Sequence, residues 1–268
     1  MRLLVGELTA CNVRVNGLRS LLFSFGLGRG EFIEFSCAKA LIDAERPAMV
    51  LDVGSGHSLM PLLTSRETVV LDLDLGSLRW QKEKAAKVLK RENPVVRASA
   101  DRLPFRDGVF DVVTAISSLE HMPGQGDRAA CVEILRTMKC GGVSMITVPG
   151  SRSDTTIEEE GIMVGVPHFA HVFLRPIMKP LFRMFQVDRA DTFHERRYSR
   201  REGRTRLVPP ESREARIRGY AMTEPLRALV SRVYPYSFIT VADAFLATRI
   251  RLVGDGDPTG FLVISFRK

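Results

Sequence analysis

From residue 49 to 148 short apolar runs alternate with stretches whose apolar positions return at helical spacing. "MVLDVG" (49–54) and "VVLDLD" (69–74) read as strands, "VVRA" (95–98) and "FDVVTAI" (110–116) are two more β-branched runs, and "GVSMITV" (142–148) is a fifth. Between them, "SLRWQKEKAAKVLKREN" carries Leu78, Ala85, Val88 and Leu89 at near-helical spacing among charges. "DRAACVEILRTMK" reads as a helix closed by Gly141 and Gly142. Strands separated by helices at this rhythm predict parallel βαβ units and a doubly wound sheet, in which ligands bind beyond the carboxyl ends of the strands.

The rhythm stops after Pro149. Residues 150–218 have apolar patches without a clean period and exceed an ordinary connection in length. Beyond them "MTEPLRALVSRVY" predicts a helix, "YSFITVADAF" and "GFLVISF" predict two strands that pair as a hairpin at the sheet edge, and "GDGDP" marks a turn. Ahead of the first strand, "RGEFIEFSCAKALI" predicts a packed helix. The expected organisation is an N-terminal helical segment (1–45), an α/β core (46–150), a lid or acceptor insert (151–220), and a C-terminal helix with two strands completing the core sheet (221–268).

Composition adds a location for the charge. The 268 residues are 45% hydrophobic with net charge +8 and pI near 9.6. Between Phe173 and Arg218, twelve Arg and one Lys stand against six acidic residues, a net +7. No run reaches the roughly 18 uncharged apolar residues of a membrane span. "LTAC" (Leu8–Cys11) has the look of a lipoprotein cleavage box, but the apolar run before it is too short for a secretory signal. Cys11, Cys37, Cys131 and Cys140 lack the spacing of a zinc site or a disulfide scaffold, so reduced thiols and a cytoplasmic location are expected.

The candidate chemistry begins at "VLDVGSGHS" (Val50–Ser58). A bare backbone just past a buried strand lets a ligand approach closely, and a following helix start offers free N–H groups. A dinucleotide fingerprint wants a third small residue where Leu59 stands, which weakens a nicotinamide reading. His168 and His171 sit three apart without further ligands nearby, so no metal site is expected. "LPF" (103–105) reads as structural, with Phe105 and Phe110 anchoring a turn, and Trp80 as a packing residue.

"VLDVGSG", "VVLDLD", "LPFRDGVFDVV", "SSLEHM" and "LRTMKCGG", in that order over roughly Ala48 to Pro149, resemble the successive motifs of the class I, Rossmann-like, seven-stranded S-adenosylmethionine-dependent methyltransferases of the type 11 kind. The resemblance implies an α/β fold: a doubly wound, mostly parallel seven-stranded sheet with helices on both faces and an Arg-rich insert after the fifth strand. It implies S-adenosyl-L-methionine as cofactor and a transferred methyl group. Asp52, Gly54, Ser55, Gly56 and His57 would form the methionine-side loop, and Asp72 would accept hydrogen bonds from the ribose hydroxyls with Leu73 on the adenine face. Ser99, Ala100 and Asp101 would meet the adenine edge, and Ile116 and Ser117 would close the site after the fourth strand. The family's third loop glycine is replaced by Ser58, and Ser99 stands where Asp or Asn is usual.

Methyl transfer from a sulfonium is a direct displacement, so alignment matters more than acid–base groups. Glu120 and His121 open at the same rim as the glycine loop and are the candidate catalytic residues, against the plainer reading that they satisfy loop backbone. His194 and Tyr198 are lid residues or plain surface. The insert admits three readings: an apolar pocket or membrane-resting surface for a small-molecule or lipid-like acceptor, with peripheral membrane contact; an Arg-rich site for RNA or another anionic partner such as an acidic protein; or arginines paired with the insert's own acids, such as Glu158–Glu160. A small-molecule or lipid-like acceptor is the leading expectation, RNA or protein the runner-up, and a non-catalytic S-adenosylmethionine-binding module the third.

Overall fold

The computed structural model describes residues 4–21, 29–151, 157–160, 193–222, 240–254 and 260–268. Five strands follow the expected rhythm: β1 (Met49–Val53), β2 (Glu67–Asp72), β3 (Val95–Arg97), β4 (Phe110–Ile116) and β5 (Met138–Pro149). Their parallel pairing gives the order β3-β2-β1-β4-β5, with Leu51 beside both Val69 and Val113. β1 and β4 are buried on both faces, as the near-continuous apolar runs require. Val50 and Val112 face one core layer; Leu51, Val53 and Val113 face the other.

Helices cover both faces. α1 (Val5–Asn16), α2 (Arg29–Glu45), the short α3 (Met60–Leu63) and α4 (Leu75–Leu89) pack on the Val50 side. α2 buries Phe32, Ile33, Phe35, Ala38 and Ile42, the stripe that "RGEFIEFSCAKALI" predicts. α4 starts where Asp74 accepts the Ser77 N–H at 2.6 Å and ends at Lys90 in the left-handed region, φ 57°. α5 (Gly126–Thr137) and α6 (Arg200–Leu207) cover the other face, burying Cys131, Ile134 and Leu207.

The C-terminal half departs from expectation in several places. The main sheet has eight strands rather than seven. β10 (Phe261–Arg267) runs antiparallel between β5 and β8 (Arg213–Met222), and β9 (Ile250–Val253) forms the outer edge against β8. "GFLVISF" is therefore an interior strand, not half of an edge hairpin; its Leu262, Ile264 and Phe266 are buried, which an edge position would not achieve. β8 belongs to the main sheet from residue 213, so the insert expected to run to 220 gives way to the core earlier.

"TVADAFLA" forms a helix, α7 (Thr240–Ala247), where "YSFITVADAF" predicts a strand. Asp243, Ala244, Leu246 and Ala247 are buried while Phe245 is exposed, a helical stripe that the β-branched start of the segment concealed. α5 ends at Thr137 and β5 begins at Met138, so Gly141 and Gly142 lie inside a strand. Gly142 is needed there because a Cβ would lie 2.9 Å from the Lys139 carbonyl oxygen. The expected helix over 222–234, the turn at 254–258 and the segment 169–185 with His168 and His171 before and within it fall largely or wholly outside the described residues.

Within the insert, β6 (Ile157–Glu160) pairs antiparallel with β7 (Phe193–Arg197), placing Glu158 opposite Arg196 and Glu159 opposite Glu195. No helix among the described residues is long and apolar enough to cross a membrane.

Candidate functional site

The carboxyl ends of β1, β2 and β4 open on a cavity of about 380 Å³. The loop after β1 forms one wall. Gly54 adopts φ +68° and its N–H is donated to the Leu71 carbonyl at 2.8 Å. A Cβ on Gly54 would lie 2.5 Å from the Ser118 Cβ, so the position requires glycine both for its backbone angle and for the approach of the β4 loop. Gly56, at φ +47°, has open space where a Cβ would stand.

Asp72 ends β2 and holds this loop. Its Oδ2 accepts the Gly56 N–H at 2.7 Å and its Oδ1 accepts the Asp74 N–H at 2.9 Å. A carboxylate oxygen has two lone-pair directions, so each oxygen keeps one for a ligand hydroxyl. Gln81, fully buried on α4, braces the loop from beneath by donating its Nε2 to the carbonyls of Gly56 (3.2 Å) and Ser58 (2.8 Å).

Of the expected cofactor residues, Gly54, Gly56, Asp72, Leu73, Ser99, Ala100 and Ser117 line the cavity, together with the candidate catalytic His121. Leu73 is 58% exposed at the mouth. The others stand outside it. Asp52 is only 2% exposed; Thr114 donates its hydroxyl to the Asp52 carboxylate, and burial pushes that carboxyl up to about 6. Ser55 is buried, with its hydroxyl on the Asp52 carbonyl. His57 is exposed and turns its ring edge onto Trp80, centroids 5.1 Å apart. Asp101 is exposed, Ile116 belongs to the core, and Glu120 is buried behind the lining.

The sequence reading missed Val53, Leu71, Ala98, Ser118, Leu119 and Met122, which complete the wall. Ser118 and Leu119 fall inside the quoted "SSLEHM" and needed only the inference that the whole turn lines the rim. Gln81 carried no local signal, since a helix glutamine at this spacing reads as solvated.

Ser117 sits at φ +45°, a left-handed backbone rare for a non-glycine residue. Its N–H reaches both the carbonyl and the hydroxyl of Thr147 at 3.1 Å, and its hydroxyl donates to Glu34 Oε1 at 2.8 Å. Glu34 enters from α2 and is 4% exposed; burial, with Glu31 nearby, pushes its carboxyl up to about 7. Glu120 is 2% exposed and burial holds it well above the usual carboxylate range.

The floor of the rim is pinned by a buried ion network. Asp127 on α5 accepts from Arg196 Nη1 (3.0 Å), from Arg206 Nε (2.9 Å) and Nη2 (2.6 Å), and from the Tyr198 hydroxyl (2.8 Å). Arg196 also reaches the carbonyls of Met122 and Gly124, and Arg206 that of Gly124. Tyr198 is fully buried and is neither a lid nor a surface residue: once β7 packs on α5, its hydroxyl has Asp127 as partner. "LPF" is structural as expected, with Phe105 edge-on to Phe110 at 4.9 Å and Arg136 donating to the carbonyls of Leu103 and Phe105.

A doubly wound sheet whose first strand ends in a glycine loop and whose second ends in a carboxylate, both opening on one cavity, is the arrangement expected of a class I methyltransferase domain. Residues 51–146 match the family model described as a methyltransferase domain, and this core is an S-adenosylmethionine-dependent methyltransferase domain of that family. The chain is 32% identical over 130 residues to an uncharacterized protein of Methanocaldococcus jannaschii, covering 48% of this chain and 52% of that one. It is 34% identical over 79 residues to a malonyl-[acyl-carrier protein] O-methyltransferase of Geobacter sulfurreducens, covering 28% and 29%. These matches thus span about half or less of each curated relative. Among solved structures, a SAM-dependent methyltransferase from Archaeoglobus fulgidus shares the fold with TM-score 0.53 at 14% identity, over 89% of this chain and 94% of the other.

Proposed function

We propose that this protein transfers a methyl group from S-adenosylmethionine to a small-molecule acceptor. The observation that carries the reading is the joint placement of Gly54, Gly56 and Asp72 around one cavity, with the Asp72 oxygens each keeping a lone pair directed away from the backbone they hold.

The residues fit the cofactor. Asp72 offers a two-oxygen acceptor for a ribose diol, Leu73 an apolar face, and the backbone around Ser99 and Ala100 an edge for the base. Gly54 and Gly56 leave the strand end free of side chains where the methionyl portion would lie. Asp52 acts through the fold: by holding Thr114 of β4 it fixes the spacing of β1 and β4 on which the loop rests. The cofactor supplies an electrophilic methyl on a sulfonium; the chain's task is to hold the acceptor in line with it and keep water out.

A small acceptor is favoured because four of the nine described arginines of the insert are engaged with the protein itself. Arg196 and Arg206 are committed to Asp127, Arg197 to Glu195 at 2.9 Å, and Arg200 to the Val253 carbonyl at 2.7 Å. The deciding experiment is calorimetric titration with S-adenosylhomocysteine and, separately, NADH. Binding of the former alone is expected; binding of NADH alone overturns the reading.

A further inference from the structure

Behind the lining residues of the rim, the chain gathers carboxyl groups from three separate elements. Glu34 comes from α2, Glu120 from the turn after β4, and Glu195 from β7. Glu120 faces the charges of both others. Bringing like charges together out of water is costly, and the fold offsets that cost unevenly. Glu195 has Arg197, and Glu34 has the hydroxyls of Ser117 and Thr147. Glu120 Oε2 is buried and has no hydrogen-bond partner. Leaving a buried carboxyl oxygen without a partner is destabilising.

The cluster lies next to the cavity. Ser117, whose hydroxyl bonds Glu34, lines it, and so do Leu119 and His121 on either side of Glu120. Resting on the methyltransferase reading above, we propose that Glu120 and Glu34 form the acceptor subsite and that the acceptor is an amine whose nitrogen donates to Glu120.

The chemistry suits the groups present. In the free protein burial pushes the Glu34 carboxyl up to about 7 and the Glu120 carboxyl well above the usual carboxylate range. An amine entering as its free base takes the Glu120 proton and forms a buried ion pair; one entering as an ammonium ion displaces that proton to water. Before alkylation an ammonium N–H bond breaks, its proton returns to the Glu120 carboxylate, and the nitrogen keeps the electron pair. Among the described residues, the other titratable groups around the pair are Glu31 and Cys37 on α2, Glu195 with Arg197 on β7, and His121 next to Glu120. Among the described groups the carboxyls outnumber the cations, which favours a cationic acceptor over an anionic one.

The test uses the full chain saturated with S-adenosylhomocysteine. Thermal melting and calorimetry are read against a panel of alkyl- and arylalkylamines including hexylamine and 2-phenylethylamine, with hexanoate, hexanol, 3-phenylpropionate and 2-phenylethanol as isosteres. Amines are expected to bind and the acids and alcohols not to. Glu120→Gln should weaken amine binding at least tenfold while leaving S-adenosylhomocysteine affinity within twofold and the melting temperature unchanged or raised. Glu34→Gln should weaken amine binding in the same direction.

Acids or alcohols binding as well as the amines, no response to any amine, or undiminished amine binding in Glu120→Gln would each overturn the proposal. So would a Glu120→Gln protein markedly less stable than the parent, because the carboxyl would then be a structural partner. If S-adenosylhomocysteine itself does not bind, the methyltransferase reading falls first; if it binds and the amines do not, only the acceptor assignment falls.

Discussion

Asp72 Oδ2 and the Gly56 N–H lie 2.7 Å apart, so the carboxylate proposed to meet the ribose also holds the glycine loop in place. Site shape and ligand contact are thereby carried by one side chain. Asp72→Ala should lose both and weaken S-adenosylhomocysteine binding by well over tenfold in calorimetry. Asp72→Asn keeps one acceptor oxygen and should fall between the two. Unchanged affinity in Asp72→Ala would remove the ribose assignment.

Gly54→Ala meets two penalties that can be separated. The left-handed backbone costs a non-glycine residue about 1–2 kcal/mol, and the new methyl collides with Ser118. Chemical denaturation should show the single variant destabilised by more than the backbone figure alone. Adding Ser118→Gly should recover the excess and leave the backbone share.

Asp127 anchors Arg196, Arg206 and Tyr198 from a fully buried position. Asp127→Ala leaves two guanidinium groups without their counter-charge, and a loss of about 3–5 kcal/mol is expected. The arginines hold the Asp127 carboxyl below its ordinary value, so the stability it contributes is present above that value and lost as pH falls below it. Acid unfolding followed by circular dichroism should therefore begin at higher pH in the parent than a chain with ordinary carboxyls would show.

Glu34 has the opposite sign. Its folded-state value, about 7, lies above the ordinary 4.5, so its contribution is fully present below 4.5 and is lost as pH rises through 7. Glu34→Gln does not titrate. Relative to the parent, its unfolding free energy should rise with pH across that window by about 3 kcal/mol, following from 1.36 kcal/mol per pKa unit. A flat difference between the two proteins would show that Glu34 ionises normally.

The first half of the chain was legible because its information is local. β1 to β5 are short apolar runs bounded by glycines, caps and charged helices, and parallel βαβ order follows from their alternation alone. The cavity lining from Gly54 to Ala100 was legible for the same reason: in a doubly wound sheet every residue just past a strand's carboxyl end faces one rim. The second half was not. "TVADAFLA" became a helix because its buried stripe exists only against α2, and "GFLVISF" became an interior strand because β8, unannounced by any clean alternation, stood ready to flank it.

By itself, then, the sequence determined the sheet's parallel core, the glycine loop and the carboxylate at the end of β2, all of which depend on residues near one another in the chain. Only tertiary structure decided that Asp52 accepts from Thr114, that Tyr198 is core, and that Glu34, Glu120 and Glu195 converge. Those roles depend on hydrogen-bond partners and burial set by elements 60 to 160 residues apart, roughly, and a carboxylate in sequence carries no mark of whether water or another carboxylate will face it.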